Sequence, residues 1–217
     1  GLVGAGRTEM ARAIFRLDPN TSGEIYIRGK LHKIRRPGDA ITAGIGFLTE
    51  DRKGEGLVLK MSVGQNITLA KLKAFTRLFH LDQKKEQSTI AEYISKLAIK
   101  TPSAKQSANN LSGGNQQKTV LAKWLLSNCS VLIFDEPTRG IDVGAKIEVY
   151  NIINALAKEG KAVIVITSEI PELLGISDRI LVIARGKLCG ELTREEATQE
   201  AVMTLATGID SGKDKSA

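Results

Sequence analysis

The sequence has few aromatic residues, two cysteines, two histidines and no long hydrophobic run. Aromatic side chains make up 4% of the chain, and no dense basic stretch is interleaved with them. Proteins that bind single-stranded nucleic acid set aromatic side chains in a basic groove. We therefore expect no nucleic-acid partner, although the net charge of +7 also suits phosphate groups or an anionic membrane face.

The sequence also shows no pattern typical of a membrane-spanning or targeting segment. Apolar stretches such as Ala162–Ile166 are far shorter than the roughly 20 residues that a transmembrane helix needs. No basic segment followed by an apolar one opens the chain. We expect the protein to reach any membrane by docking on another protein.

The cysteines and histidines are isolated from one another. Cys129 and Cys189 lie within apolar stretches and predict buried free thiols in a reducing compartment, with neither a disulfide nor a metal site. His32 and His80 stand in polar surroundings, which predicts solvated side chains. The 217 residues are enough to bury a core as one domain, or as one domain plus a subdomain.

Residues 1–8, with the sequence GLVGAGRT, have the spacing of a phosphate-binding loop, with Arg7 where Lys is usual. Glycines let successive backbone N–H groups point at phosphate oxygens, at the positive end of the following helix. The Thr8 hydroxyl suits a Mg²⁺ ligand. Because such a loop normally follows a core strand, we expect the chain to be part of a longer polypeptide. A plain glycine-rich turn is the alternative for this segment taken alone.

An apolar strand at residues 131–134 leads into Asp135 and Glu136, which are followed by proline. Asp135 suits a Mg²⁺ ligand, and Glu136 is placed to orient an attacking water. Adjacent acids at a strand end are otherwise a solvated turn.

Residues 111–118, with the sequence LSGGNQQK, place a serine and two glycines at a predicted helix start. This arrangement aims a hydroxyl and unbonded backbone N–H groups at an anion.

The periodicity of apolar residues predicts an α/β fold. Short strands alternate with helices at both ends of the chain, and two of the strands are continuous apolar runs, as in a parallel sheet buried on both faces. The stretch between has helical periodicity and no strand pattern. We predict a core of mainly parallel sheet flanked by helices at residues 1–61 and 112–209, an inserted α-helical subdomain at 62–111, and a disordered tail at 210–217.

In this order and spacing, the three motifs resemble the phosphate loop, Walker B and signature motifs of the nucleotide-binding domains of ABC transporters, which have a P-loop NTPase fold. The resemblance covers residues 1 to about 208. More narrowly, residues 50–53, 111–118 and 135–146 resemble the C-terminal half of the duplicated ATP-binding subunits of bacterial monosaccharide importers, of the ribose, galactose and xylose type. That family carries two such domains in one polypeptide, so a chain that begins within the phosphate-binding loop is expected to be part of such a polypeptide.

The resemblance implies ATP and Mg²⁺ as ligands, with Mg²⁺ held by Thr8 and Asp135. It implies that the catalytic positions are Glu136, Glu50 and Ser168. The residues that it implies for nucleotide contact, in this domain or across to a partner domain, are Gly1, Gly4, Ala5, Gly6, Arg7, Thr8, Glu9, Ser112, Gly113, Gly114, Asn115 and Asp142.

The resemblance also implies partners and a location. These are a second ABC ATPase domain, transmembrane permease subunits and, indirectly, a periplasmic sugar-binding protein. The protein would then be peripheral on the cytoplasmic face of the bacterial inner membrane. Asp142 would lie in the loop that crosses to the opposite domain, although a surface turn is its plain alternative.

Three positions depart from the ABC pattern. Arg7 replaces Lys, Glu50 stands where Gln is expected, and Ser168 stands where a switch His is expected. A guanidinium fork differs from a compact ammonium, Glu50 adds negative charge near the phosphates, and serine cannot do the work of an imidazole. We expect slow hydrolysis at this domain's own site, with Ser112, Gly113 and Gly114 acting on nucleotide held by the partner domain.

Two other functions remain open at this point. One is a regulatory half that binds nucleotide without hydrolysing it. The other is a soluble ABC ATPase of DNA repair or translation, which the short insert and the lack of a basic nucleic-acid surface disfavour. The sequence does not identify the transported sugar.

Overall fold

A computed structural model describes residues 4–18, 22–77 and 80–208. Gly1 and the predicted tail at 210–217 lie outside the described residues. The helices of the described chain are α1 (Arg7–Ile14), α2 (Pro37–Thr42), α3 (Val63–Thr68), α4 (Gln83–Lys96), α5 (Gly113–Leu126), α6 (Val143–Lys158), α7 (Ile170–Ile176) and α8 (Gln199–Thr207). The strands are β1 (Ile25–Ile27), β2 (Lys30–His32), β3 (Ile45–Leu48), β4 (Thr76–Arg77), β5 (His80–Leu81), β6 (Val131–Asp135), β7 (Ala162–Ile166), β8 (Arg179–Ala184) and β9 (Lys187–Thr193).

A parallel sheet of order β3-β6-β7 organises the described core. All four residues of β3 are buried, as are the last four of β6, so neither strand alternates polar and apolar residues. The register pairs Leu48 with Phe134 and Asp135 with Ile166. The carboxyl ends of the three strands therefore meet at one edge of the sheet, where ligands bind in open α/β folds.

An aromatic cluster fixes α1 and α5 to this sheet. The Phe15 ring lies 5.7 Å from that of Phe47 on β3 and 5.6 Å from that of Trp124 on α5, the latter edge-on. All three side chains are buried. The helices that follow the glycine-rich loop and the LSGG sequence thus pack on a common core.

The stretch predicted to be purely helical contains a small strand pair. It includes α3, a 3₁₀ segment at Leu69–Phe75 and α4, but β4 and β5 pair antiparallel between them. The prediction of no strand in this stretch was wrong, because two-residue strands are too short to leave a periodic signal. The Ser62 hydroxyl and the Gln65 side chain form a capping box that starts α3.

The two cysteines differ in environment. Cys129 is a buried free thiol, as predicted, and burial raises its pKa to about 11. Cys189 is free but exposed, which corrects the prediction of burial. It lies on β9, which pairs with β8 in a two-stranded sheet and has mostly exposed residues.

The described helices are all too short or too polar to cross a bilayer.

Candidate functional site

The glycine-rich loop is shaped by backbone conformations that favour glycine. Gly4 and Gly6 have φ angles of +75° and +93°, in the left-handed region where a Cβ is strained. The β8–β9 turn closes on the loop, because the Gly186 N–H donates to the Ala5 carbonyl over 2.9 Å. Gly6 is also close to this turn, since a Cβ there would lie 3.1 Å from Gly186 Cα. The first turn of α1 follows directly, with Thr8 and Glu9 in it.

Arg7 points its guanidinium at the ends of the neighbouring strands. Nη1 donates to the carbonyl of Thr167, the residue after β7. Nη2 lies 3.8 Å from Glu136 Oε1, and both side chains are only 12% exposed. The basic residue of the loop is therefore engaged with protein groups, one of them the proposed catalytic carboxylate.

Asp135 presents a buried carboxylate with neither oxygen hydrogen-bonded to another described residue. Burial raises the pKa of Asp135, an effect that the nearby Thr8 hydroxyl opposes. A buried carboxylate without a partner is costly, and a divalent cation would offset that cost. The residues present fit Mg²⁺, with Thr8 and Asp135 as the protein groups that would hold it.

Glu136 follows β6 in a rare backbone conformation. Its φ is +46°, unusual for a residue with a Cβ and typical of functional sites where the surroundings enforce it. Its N–H donates to the Ile166 carbonyl over 2.8 Å. This bond ties the end of β6 to β7 and fixes the direction in which the Glu136 side chain leaves the sheet.

A cleft of about 440 Å³ opens at this edge of the sheet. Glu50, in the loop after β3, lines it and forms an ion pair with Arg139, in the loop after β6. The negative charge that Glu50 adds to the site is thus partly balanced by a residue of the same chain. The lining consists of Thr8, Arg12, Phe47, Thr49, Glu50, Asp51, Arg52, Lys53, Glu55, Asp135 and Arg139.

Ser168 is exposed and follows Thr167, the acceptor for Arg7. Beneath them Glu172 of α7 is 5% exposed and accepts hydrogen bonds from the hydroxyls of Thr138 and Thr167. The loops after β6 and β7 are therefore held together by one buried carboxylate.

The LSGG serine is the N-cap residue of α5, but its hydroxyl does not cap the helix. Instead it accepts a hydrogen bond of 2.9 Å from Asn115 Nδ2, while Asn115 Oδ1 accepts from the Lys100 N–H. Ser112 is exposed. Its hydroxyl can still donate to a ligand.

Close packing explains the two glycines at the start of α5. A Cβ on Gly113 would lie 2.8 Å from Arg52 Nη2 and 3.0 Å from the Gly140 carbonyl oxygen, and a Cβ on Gly114 would lie 2.8 Å from Ala145 Cβ. Asp142 is exposed, caps α6 and accepts from the Ala145 N–H over 2.9 Å. The start of α5 therefore lies against the loop after β6 and the start of α6.

The structure separates the described candidate residues into two groups. The first group lies at the glycine-rich loop and the strand ends, where Thr8, Glu50 and Asp135 line the cleft. Its other members lie near these residues but outside the cleft lining, and they are Gly4, Ala5, Gly6, Arg7, Glu9, Glu136 and Ser168. The second group lies at the starts of α5 and α6 and comprises Ser112, Gly113, Gly114, Asn115 and Asp142.

Sequence reasoning missed three residues that organise the site, namely Arg52, Arg139 and Glu172. Each interacts with a residue distant in sequence. Only Glu172 left a signal, as an acid at the start of a short helix between two buried strands, and that signal does not identify its partners.

The chain is similar in sequence to ATP-binding proteins of known transporters. The family model described as ABC transporter matches residues 1–139. The ribose import ATP-binding protein RbsA of Bacillus licheniformis is 55% identical over 208 residues, which are 96% of this chain and 42% of that protein. A putative ribose/galactose/methyl galactoside import ATP-binding protein of Burkholderia ambifaria is also 55% identical, over 97% of this chain and 41% of its own length.

Solved structures share the fold. A nucleotide-free ATP-binding cassette from an ABC transporter has a TM-score of 0.76 at 19% identity and covers 94% of this chain and 82% of its own. A dimeric ATP-binding cassette in a post-hydrolysis state, bound to ADP and Pi, has a TM-score of 0.74 at 23% identity. The match covers 89% of this chain and 83% of that cassette.

The predicted fold class and the resemblance to monosaccharide import ATP-binding proteins are thus confirmed, while the chain spans about two fifths of the length of those relatives. With the family model matching well over half of the chain, the chain belongs to the ABC transporter family.

Proposed function

We propose that this chain is a nucleotide-binding domain that couples ATP binding and hydrolysis to monosaccharide uptake by a bacterial ABC importer. In this proposal it is the C-terminal of two ATPase domains in one polypeptide, which acts with permease subunits and a periplasmic sugar-binding protein at the cytoplasmic face of the inner membrane. The names of the relatives support the sugar class. The observation that carries the proposal is the convergence of the loop residue Thr8 and the unpartnered Asp135 carboxylate on one cleft.

The residues of the cleft have distinct roles in binding ATP. The backbone N–H groups of the loop, at the N-terminus of α1, suit the phosphates. Mg²⁺, when bound by Thr8 and Asp135, would neutralise developing charge on the phosphate oxygens. Glu136 would orient and deprotonate the attacking water, provided that its carboxylate is not occupied by Arg7.

Arg7 is the reason to expect slow turnover at this site. Its guanidinium donates to the Thr167 carbonyl and lies near Glu136. In this arrangement the guanidinium is directed at protein groups instead of at the phosphates. It also lies beside the Glu136 carboxylate, which should activate water. Binding of ATP would have to draw Arg7 away from both partners before hydrolysis.

The second group of residues supports a role toward a partner domain. Ser112 is exposed at the N-terminus of α5, and its hydroxyl does not cap the helix. We propose that Ser112 and the first turn of α5 contact the γ-phosphate of ATP held by the other domain. Exposed Val143 and Ile147, on the helix that Asp142 caps, suit the apolar part of the same contact.

A regulatory half that binds ATP without hydrolysing it is the second candidate. The closeness of Arg7 to Glu136 favours it, because a carboxylate kept in an ion pair is a poor base. In the first candidate Glu136 is the general base of a slow ATP hydrolysis, whereas in the second it has no catalytic role.

Substitution of the proposed catalytic carboxylates in the two-domain polypeptide tests the proposal. We expect Glu136→Gln to lower steady-state ATP turnover less than about twofold, and the equivalent change in the other domain to lower it about 100-fold, within the usual range for loss of a general base. With the other site disabled, a slow turnover that Glu136→Gln abolishes supports the slow-site proposal, whereas no turnover at all supports the regulatory half. Uptake of labelled ribose and galactose that survives deletion of the protein would contradict the role in import.

A further inference from the structure

Arg52 joins three segments that sequence reasoning treats separately. We name them the Glu50 loop (residues 49–56), the Gly140 loop (residues 137–142) and the signature segment (residues 112–115). The Glu50 loop contains a π-helical turn at Arg52–Gly56, whose N-cap Asp51 accepts from the Gly54 N–H. Arg52 is the first residue of that turn, and its side chain leaves the loop toward the other two segments.

The guanidinium of Arg52 clamps the Gly140 loop. Nη1 donates to the Arg139 carbonyl over 2.8 Å, and Nη2 donates to the Gly140 carbonyl over 3.2 Å. Two successive carbonyls are thus held by the planar fork of one side chain. A lysine ammonium would not reproduce this fixed two-point geometry.

The same guanidinium forms the surface on which the signature segment lies. A Cβ on Gly113 would sit 2.8 Å from Arg52 Nη2 and 3.0 Å from the Gly140 carbonyl oxygen. Gly113 therefore approaches both the fork and the carbonyl that the fork holds. A movement of Arg52 or of the Gly140 carbonyl toward α5 would therefore clash with Gly113.

A second contact ties the Glu50 loop to α5 itself. Lys123 is buried, and its Nζ donates to the Gly56 carbonyl over 2.6 Å. The Gly56 end of the π-helical turn is thus hydrogen-bonded to α5, while the Arg52 end lies close to Gly113 at the start of that helix. Arg52 also lines the cleft with Glu50 and Arg139, so the side chain that holds the Gly140 loop is part of the cleft wall.

We propose that Arg52 is a positioning residue that transmits the state of this domain's nucleotide site to the signature segment that it offers to the partner domain. The proposal rests on the proposed function for the partner-facing role of Ser112. In this proposal the Glu50 loop, the Gly140 loop and the signature segment move as one unit as long as the Arg52 guanidinium holds the two carbonyls.

The substitution Arg52→Lys in the two-domain polypeptide tests this role, because it keeps the charge and loses the fork. We expect the kcat for ATP hydrolysis to fall about tenfold, the scale of loss for a small misplacement of a catalytic group. The KM for ATP and the affinity for a fluorescent ATP analogue should change less than twofold. Arg35→Lys, on an exposed arginine outside the cleft lining, is the matched control and should leave both constants unchanged.

Two further measurements separate positioning from a general loss of structure. Guanidinium ion added below denaturing concentrations should restore part of the kcat of Arg52→Ala. Hydrogen exchange at residues 112–116 and 137–142 should rise together in Arg52→Lys, whichever site hydrolyses ATP. Exchange that rises at 137–142 alone, or a kcat within twofold of wild type, would overturn the proposal. If the other domain is not the main hydrolytic site, Glu136→Gln will lower ATP turnover more than the equivalent change in that domain, whatever the effect of Arg52→Lys.

Discussion

Lys123 is a buried cation in the hydrophobic core, held by one hydrogen bond and one aromatic ring. It is 9% exposed, its Nζ donates to the Gly56 carbonyl, and it lies 4.9 Å from the centroid of the Trp124 ring. Desolvation by burial lowers its pKa from 10.5 to about 8. Retaining a charged lysine at this buried position costs stability.

This pKa predicts a dependence of stability on pH. Between pH of about 8 and 10.5 the unfolded chain holds a proton on Lys123 that the folded chain has lost. The free energy of unfolding therefore rises with pH through this window, by on the order of 3 kcal/mol from this group. Below pH 8 Lys123 is protonated in both the folded and the unfolded state, so its contribution to the free energy of unfolding does not change with pH.

Urea unfolding of wild type and Lys123→Met at a series of pH values measures the effect. The difference between the two free energies of unfolding should change across the window in favour of wild type as the pH rises. Lys60→Met, on an exposed lysine, should show no such change. Parallel curves for wild type and Lys123→Met would mean that Lys123 titrates normally.

At the scale of elements, strand β3 and helix α5 pack so closely that the strand needs a glycine. A Cβ on Gly46 would lie 2.9 Å from Leu132 Cδ2, 3.2 Å from Cys129 Sγ and 3.2 Å from Trp124 Cβ. The last of these atoms cannot rotate away. The glycine therefore sets how near α5 lies to the sheet, and with it the position of the signature segment.

We expect Gly46→Ala to lower the free energy of unfolding by about 1–3 kcal/mol, the usual cost of overpacking a core. Gly38→Ala is the matched control, because a Cβ there meets nothing within 4 Å and Gly38 lies in α2. That change should be neutral or raise stability by up to about 1 kcal/mol. Thermal unfolding of both variants measures this, and equal melting temperatures would contradict the packing argument.

Sequence patterns identified the elements that carry the site better than those around it. The strands β3, β6 and β7 could be predicted because their apolar runs are continuous and bounded by turns. The β4–β5 pair and the π-helical turn at Arg52–Gly56 could not, since neither leaves a periodic pattern. Exposure of Cys189 was missed because an apolar neighbourhood in sequence does not reveal which face of a hairpin meets solvent.

At the scale of the whole molecule, the sequence motifs predict which residues form the site, whereas the contacts of these residues depend on the tertiary fold. That Thr8 and Asp135 share a cleft follows from the loop spacing and the strand ends. That Glu50 pairs with Arg139, or that Arg7 faces Glu136, depends on long-range packing that no local spacing encodes. We expect these pairings to determine how the departures from the ABC pattern affect hydrolysis.

We propose that this domain contributes more to catalysis through its signature segment than through its own phosphate loop. Turnover of ATP by the two-domain polypeptide carrying Ser112→Ala or Thr8→Ala compares the two roles within one chain. We expect Ser112→Ala to lower kcat about 100- to 1,000-fold, as for loss of a hydrogen bond made in the transition state, and Thr8→Ala to lower it less than about twofold. The reverse order, with Thr8→Ala the more damaging change, would mean that the phosphate loop of this domain contributes more to catalysis than its signature segment.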